Sequence, residues 1–240
     1  MGQSTVISRW FKGKELAFAL GLNISFARLG SAVNNWTEPA LVKSTSLGFG
    51  LLVGFFVCAY SFATTIGIII MERVADKRDK SAGAQLVDDT ERVSLSDIKS
   101  FNRFYWLITA NCVIVYMGIF PFMNISNEYL QTQYEFSEEQ AGRITGFVYI
   151  VSAIFSPLFG YLTDRCGYRV SLVILSSILL IGTHALFAFL PLCTRCYTCI
   201  APLACLGIGY SIYVSALWPM IPYVVKPAQL GTGYGVTTAI

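Results

Sequence analysis

An all-α membrane protein is the fold class this sequence predicts, and three observations carry the prediction. Mean hydropathy is +0.59, with 55% hydrophobic and 13% charged residues, far too apolar for a water-soluble domain of 240 residues. Several apolar runs reach the ~20 residues that cross a bilayer as helix. The runs are continuous and do not alternate with period two, so helices are implied rather than a barrel.

The elements follow in order. Spans are expected at residues 16–35 and 47–71, then, after a polar stretch, at 106–127, 145–162, 170–192 and 200–225, with a further one beginning at Gly231. The polar stretch, residues 72–103, carries seven basic and seven acidic residues and reads as a solvated linker. Near its end Leu95, Ile98, Phe101 and Tyr105 recur at helical spacing, and Ser94 with Asp97 resembles a capping box. A short amphipathic helix at the membrane surface is therefore expected before the third span, an irregular loop being the alternative. Pro202, Pro219 and Pro222, with Gly207 and Gly209, predict bending in the span at 200–225.

Charge sets the orientation. Of the 17 Lys and Arg, thirteen fall on one side of the alternating loops, only Lys43, Arg143 and Arg195 fall on the other, and Arg28 lies within a span. The basic side is the cytosolic one. Glu128, Glu135, Glu138 and Glu139 cluster on the opposite side. No basic run is dense enough for nucleic acid, so no nucleic-acid partner is expected; the lipid bilayer is.

Between the fourth and fifth spans stands GYLTDRCGYR, Gly160 to Arg169. Gly160 and Gly167 supply the tight turn and close approach that a short hairpin between membrane helices needs. Asp164 precedes the next helix, where a carboxylate complements the helix dipole. Arg165 and Arg169 are cytosolic anchors. The ten-residue pattern resembles the signature loop of the major facilitator superfamily, and RWFKGKEL, before the first span, resembles the loop that leads into helix 5 of that fold. The resemblance implies an incomplete major facilitator fold, helices 5 to 10 plus the start of 11. Residues 1–71 would end the N-terminal half, 72–104 would be the central cytosolic linker, and 105–240 would form most of the C-terminal half.

RWFKGKEL, ARLGSAVN, SALWPMIPYVV and QLGTGYG further resemble the lysosomal dipeptide transporters within that superfamily. This resemblance implies a lysosomal membrane protein that moves dipeptides by alternating access, with a glycosylated accessory membrane protein as partner; a homodimer and, from the charges within the spans, uniport are expected besides. Asp164 and the loop arginines would help lock the cytosolic gate. Two alternatives stay open: a major facilitator transporter of another organic anion such as a monocarboxylate, and a truncated, non-transporting membrane protein.

Arg28 is the residue that calls for explanation. A cation at bilayer depth costs about 2.5–3.5 kcal/mol on insertion scales. Twelve residues beyond Leu16 at 1.5 Å each place it roughly 18 Å into the helix, near mid-membrane. Gly21, Ser25, Arg28, Ala32 and Asn35 form one stripe of small and polar residues, as expected of a face turned to a packed helix or a watery cavity. The guanidinium fork matches a carboxylate, so Arg28 is the candidate for holding a solute's carboxylate. A charge pair with an acidic residue on a helix outside this chain is the alternative. Asn111, Tyr116, Tyr149 and Tyr213 are further substrate-binding candidates, and Tyr210 and Trp218 are aromatic candidates for lining the cavity, interfacial anchoring or packing being the alternative.

No Asp or Glu lies deep in a span, which favours uncoupled transport; His184 reads as a hydrogen-bonded packing residue. Cys193, Cys196 and Cys199 at two-residue gaps suggest a local disulfide or free thiols more than a metal site. The sequon at Asn23 lies inside a span, and those at Asn35 and Asn124 lie close to the membrane. No metal, cofactor or enzymatic chemistry is expected.

Overall fold

Apolar runs separated by short polar turns leave the backbone one way to satisfy its hydrogen bonds in lipid, and the chain takes it: every long element is a helix. The computed structural model describes residues 4, 7–8, 11, 15–81, 98, 100–190, 196–226 and 229–240. Its helices are α1 (Leu16–Ser44), α2 (Leu47–Ser81), α3 (Arg103–Tyr134), α4 (Glu138–Cys166), α5 (Arg169–Phe189), α6 (Ile200–Leu217), α7 (Ile221–Val224) and α8 (Leu230–Ala239). Six stretches are long and apolar enough to cross a membrane, the sixth being Tyr197–Val224. Most helices outrun their apolar stretches, α1 by nine residues past Asn35, because polar ends stay helical beyond the hydrocarbon.

The chain divides into two units, one drawn from Met1–Thr37 and Val93–Ile240, the other Glu38–Arg92. The second unit holds the last turns of α1 and all of α2, a helix whose Phe55, Phe62 and Ile68 are all exposed. A helix apolar all round suits a lipid environment.

Within the first unit α6 is the central post: 72% of its apolar window is buried, against 17% for those of α3 and α5. Its contact with α4 is built from small residues four apart. The Ser211 hydroxyl lies 3.1 Å from that of Ser152, and Ser215 donates to the carbonyl of Ser156 at 2.9 Å. Small and hydroxyl side chains let membrane helices approach closely and bond across the gap. α3 and α8 are joined by Tyr105, which donates to the Gly233 carbonyl at 2.9 Å and lies 3.0 Å from the Thr237 hydroxyl. The outward surface remains apolar, with Leu107, Ile114 and Ile181 each about two-thirds exposed, as lipid contact requires.

The turns obey local chemistry. α3 ends at Glu135 in the left-handed region (φ 56°), and α4 starts in a capping box in which Ser137 and Gln140 satisfy each other's amides. At Trp218–Met220 α6 passes through a single tighter 3-10 turn into α7, with Pro219 and Pro222 in this passage, and Leu217, Met220 and Ile221 keep right-handed helical backbone angles. Of the expected amphipathic helix, Leu95 and its capping box lie outside the described residues, while Phe101 and Tyr105 are buried. Cys196 is disulfide-bonded, whereas Cys199 is a buried free thiol.

Candidate functional site

The site begins with a close helix pair. A Cβ on Gly21 would meet the Ser156 carbonyl oxygen at 2.6 Å, and one on Gly160 would meet that of Ala17 at 2.5 Å. Only glycine fits at either place, so α1 and α4 run in backbone contact. Ser25 strengthens the pair by donating to the Ala153 carbonyl at 2.5 Å, and the Trp36 indole donates to the Arg143 carbonyl at 3.3 Å. The small-residue stripe of α1 thus seats on α4, with Ala32 buried and Asn35 bonded back to the Ser31 carbonyl at 2.9 Å.

Arg28 stands at the edge of this contact, half-buried. Its guanidinium carbon lies 4.4 Å from the ring centre of Tyr210 and 5.5 Å from that of Tyr149. Two aromatic faces hold the cation without neutralising it. Among the described residues no carboxylate forms an ion pair with Arg28.

Arg28 borders two chambers, and a third shares their aromatic wall. The smallest, about 30 Å³, lies between Arg28, Tyr149, Ser152, Met123 and Tyr210. A second of about 250 Å³ is bordered by Asn23, Arg28, Ser31, Tyr116, Tyr210 and Trp218. A third of about 530 Å³ shares Tyr116, Tyr210 and Trp218 with the second and adds Met117, Phe120 and Thr237. The two larger ones approach the scale of small-molecule sites, about 300–1,000 Å³. Tyr116 is the hub of their shared wall: its hydroxyl lies 3.3 Å from that of Tyr210 and accepts the Trp218 indole N–H at 3.2 Å.

In the signature loop the two glycines divide the duties expected of them: Gly160, inside α4, serves the close approach, here to α1, and Gly167, at φ 69°, makes the reversal. Asp164 does not cap the helix that follows it. It sits in the last turn of α4, 3% exposed, and accepts from the amides of Ala17 at 3.1 Å and Phe18 at 2.8 Å. Those donors open α1, so the carboxylate meets the positive end of a helix 147 residues away in sequence. Arg169 stands 3.9 Å from Asp164 and donates to the Tyr223 hydroxyl at 3.1 Å, its guanidinium over that ring at 4.2 Å. Arg165 stacks on Tyr161 at 5.1 Å.

Of the five substrate-binding candidates, Arg28, Tyr116 and Tyr149 border the chambers. Asn111 and Tyr213 border none of the three: the Tyr213 hydroxyl donates to Asn111 Oδ1 at 2.9 Å and its ring is wholly buried, so the pair joins α3 to α6. Asn23, with Ala27 and Ser31 at spacings of four, lines the second chamber; its periodicity was visible, but its place beside the stripe was not. His184 has Nδ1 2.8 Å from the carbonyl of Leu180 and Nε2 3.3 Å from that of Gly118, and a neutral ring donates to one of the two.

A membrane protein of packed helices, with a cation beside an aromatic-walled chamber and a carboxylate at a helix N-terminus, is what these elements define. The family model of the Major Facilitator Superfamily matches residues 2–240, and the chain belongs to that superfamily, with a partial version of its fold. Among curated proteins it is similar to the Lysosomal dipeptide transporter MFSD1 of Danio rerio, at 36% identity over 254 positions that cover 100% of this chain and 52% of that protein. It is 34% identical to the same transporter of Gallus gallus, covering 55% of it, and 34% identical to that of Homo sapiens, covering 52%. The chain spans about half the length of the curated relatives it matches.

Proposed function

We propose that this chain forms part of a lysosomal membrane transporter that moves dipeptides by alternating access as a uniporter. One observation carries the reading. Arg28, placed near mid-membrane by its position in the span, borders a chamber of about 250 Å³ whose Tyr116, Tyr210 and Trp218 wall is shared with one of about 530 Å³, and is held by Tyr210 and Tyr149 rather than by a carboxylate of the described residues. A guanidinium so placed is ready for a carboxylate from solution, and a dipeptide brings one at its C-terminus. The likeness to proteins named lysosomal dipeptide transporters supports the choice of solute and of membrane.

On this reading α1 and α2 are helices 5 and 6 of the superfamily fold, residues 72–104 are the central linker, and residues 105–240 belong to the C-terminal half. Substrate sits between the halves, as in transporters with mid-membrane sites. The Asp164 bond to the start of α1 supports a gate role: it ties the basic end of α4 to that of α1, and opening on that side would break it.

Uptake measures the proposal. Arg28→Ala should abolish dipeptide transport while delivery to the membrane stays intact, and normal uptake would remove Arg28 from the site. Competition by simple monocarboxylates against labelled dipeptide separates this cargo from other organic anions. Uniport predicts transport that needs no imposed proton gradient.

A further inference from the structure

Beyond the chambers, on the side where the basic residues gather, a second polar cluster remains that the anion site does not use. Tyr234, in the second turn of α8, stacks on Trp218 with ring centres 6.1 Å apart and planes 29° apart. Its hydroxyl donates to the Trp218 carbonyl at 3.3 Å and lies 3.0 Å from the Ser8 hydroxyl. Both ends are buried, Tyr234 at 0% and Ser8 at 3% exposure. With the Tyr234 proton directed to the Trp218 carbonyl, Ser8 is the donor in the second bond, and each hydroxyl spends its one proton.

Trp218 also faces the other way. Its indole N–H donates to Tyr116, whose hydroxyl meets that of Tyr210, and the Tyr210 face carries Arg28. A continuous line of polar contacts therefore runs from the guanidinium through Tyr210, Tyr116, Trp218 and Tyr234 to Ser8. Trp218 borders both larger chambers, so it is the wall between them and the Ser8 contact.

We propose that the Ser8–Tyr234 bond is a latch that closes the solute chamber on its cytosolic side, and that Trp218 couples it to the Arg28 site. Ser8 and Tyr234 are positioning residues of the transport cycle. The inference rests on the transport reading above. The latch joins segments 226 residues apart through a pair of buried hydroxyls, and such a contact cannot survive their separation. A solute that draws Arg28 from Tyr210 disturbs the same line at its other end, so occupancy of the site is felt at the latch.

Labelling of a chamber residue in the full-length protein tests this. A cysteine placed by Ser31→Cys reports access, with a membrane-impermeant maleimide added from the cytosolic side and the protein lacking Ser31→Cys as background. Tyr234→Phe keeps the ring on Trp218 and removes only the hydroxyl; Ser8→Ala removes the partner. Ser8→Ala loses one net hydrogen bond and should speed labelling about threefold to tenfold, and Tyr234→Phe, which also gives up the bond to the Trp218 carbonyl, by at least as much. The double variant should exceed Tyr234→Phe by little, since both changes remove the same bond. Turnover should change in Tyr234→Phe with the solute KM held within about twofold, a split that a purely structural role would not give. Unchanged labelling in Tyr234→Phe at normal membrane levels would overturn the latch. Labelling requires no solute, so it stands apart from the cargo reading, which fails instead if Arg28→Ala leaves uptake intact.

Discussion

Asp164→Asn is the substitution whose effect the geometry fixes most closely. The carboxylate accepts two amide N–H bonds at 3.1 and 2.8 Å, at a site where its side chain is 3% exposed and poorly screened. A hydrogen bond to a charged acceptor contributes about 1.5–3 kcal/mol net, and the helix dipole adds about 0.3–1 kcal/mol. Asparagine keeps one acceptor oxygen and no charge, so about 2 kcal/mol should be lost, or roughly thirtyfold in the equilibrium between capped and uncapped α1. Hydrogen–deuterium exchange in lipid nanodiscs reads it directly. The amides of Ala17 and Phe18 should exchange about thirtyfold faster, while those in the middle of α4 keep their wild-type rates. Unchanged exchange at Ala17 and Phe18 would refute the capping argument. A uniform acceleration along the whole of α1 would show that Asp164 supports the helix rather than its end.

Three further outcomes follow from particular contacts. Gly160→Ala should force α1 from α4, because its Cβ would lie 2.5 Å from the Ala17 carbonyl oxygen; the cost is about 1–3 kcal/mol, seen as a lower Tm in detergent. Gly182→Ala, where nothing lies within 4 Å, should leave Tm unchanged or raise it. Tyr210→Leu removes the ring under the Arg28 guanidinium and should raise KM about threefold to thirtyfold, whereas Tyr210→Phe keeps the face and should keep KM near the wild-type value. Tyr213→Phe strands Asn111 Oδ1 and should cost about 1–2 kcal/mol of stability with KM unaltered; a raised KM would return that pair to the solute site.

The fold was legible because hydropathy alone marks membrane helices, and each of the six expected spans falls on a membrane-length helix. Arg28 was legible for a related reason: a cation within an apolar run has few tolerable surroundings. The Gly21, Ser25, Arg28 and Ala32 stripe likewise announced a packed face, although periodicity could not say that α4 would be the partner. What the sequence hid were pairings between distant segments. Asp164 looked like a cap for the next helix in sequence, and only the fold shows Ala17 and Phe18 as its donors. Tyr210 and Trp218 stood among the span aromatics that could line a cavity or simply anchor and pack, and only the fold shows that they border the chambers. Tyr213 looked equally suited to a cavity, but a hydroxyl near mid-helix can be satisfied by a neighbouring amide, and Asn111 supplies one.

The central claim is that Arg28 receives the solute's carboxylate. Its most direct test is the affinity of one dipeptide and of its C-terminal amide, measured on the wild-type protein and on Arg28→Ala. The wild type should prefer the free acid by about tenfold to hundredfold, the worth of a charge-assisted pair, and the variant should bind both forms alike. A preference for the acid that survives undiminished in properly folded Arg28→Ala protein would contradict the account.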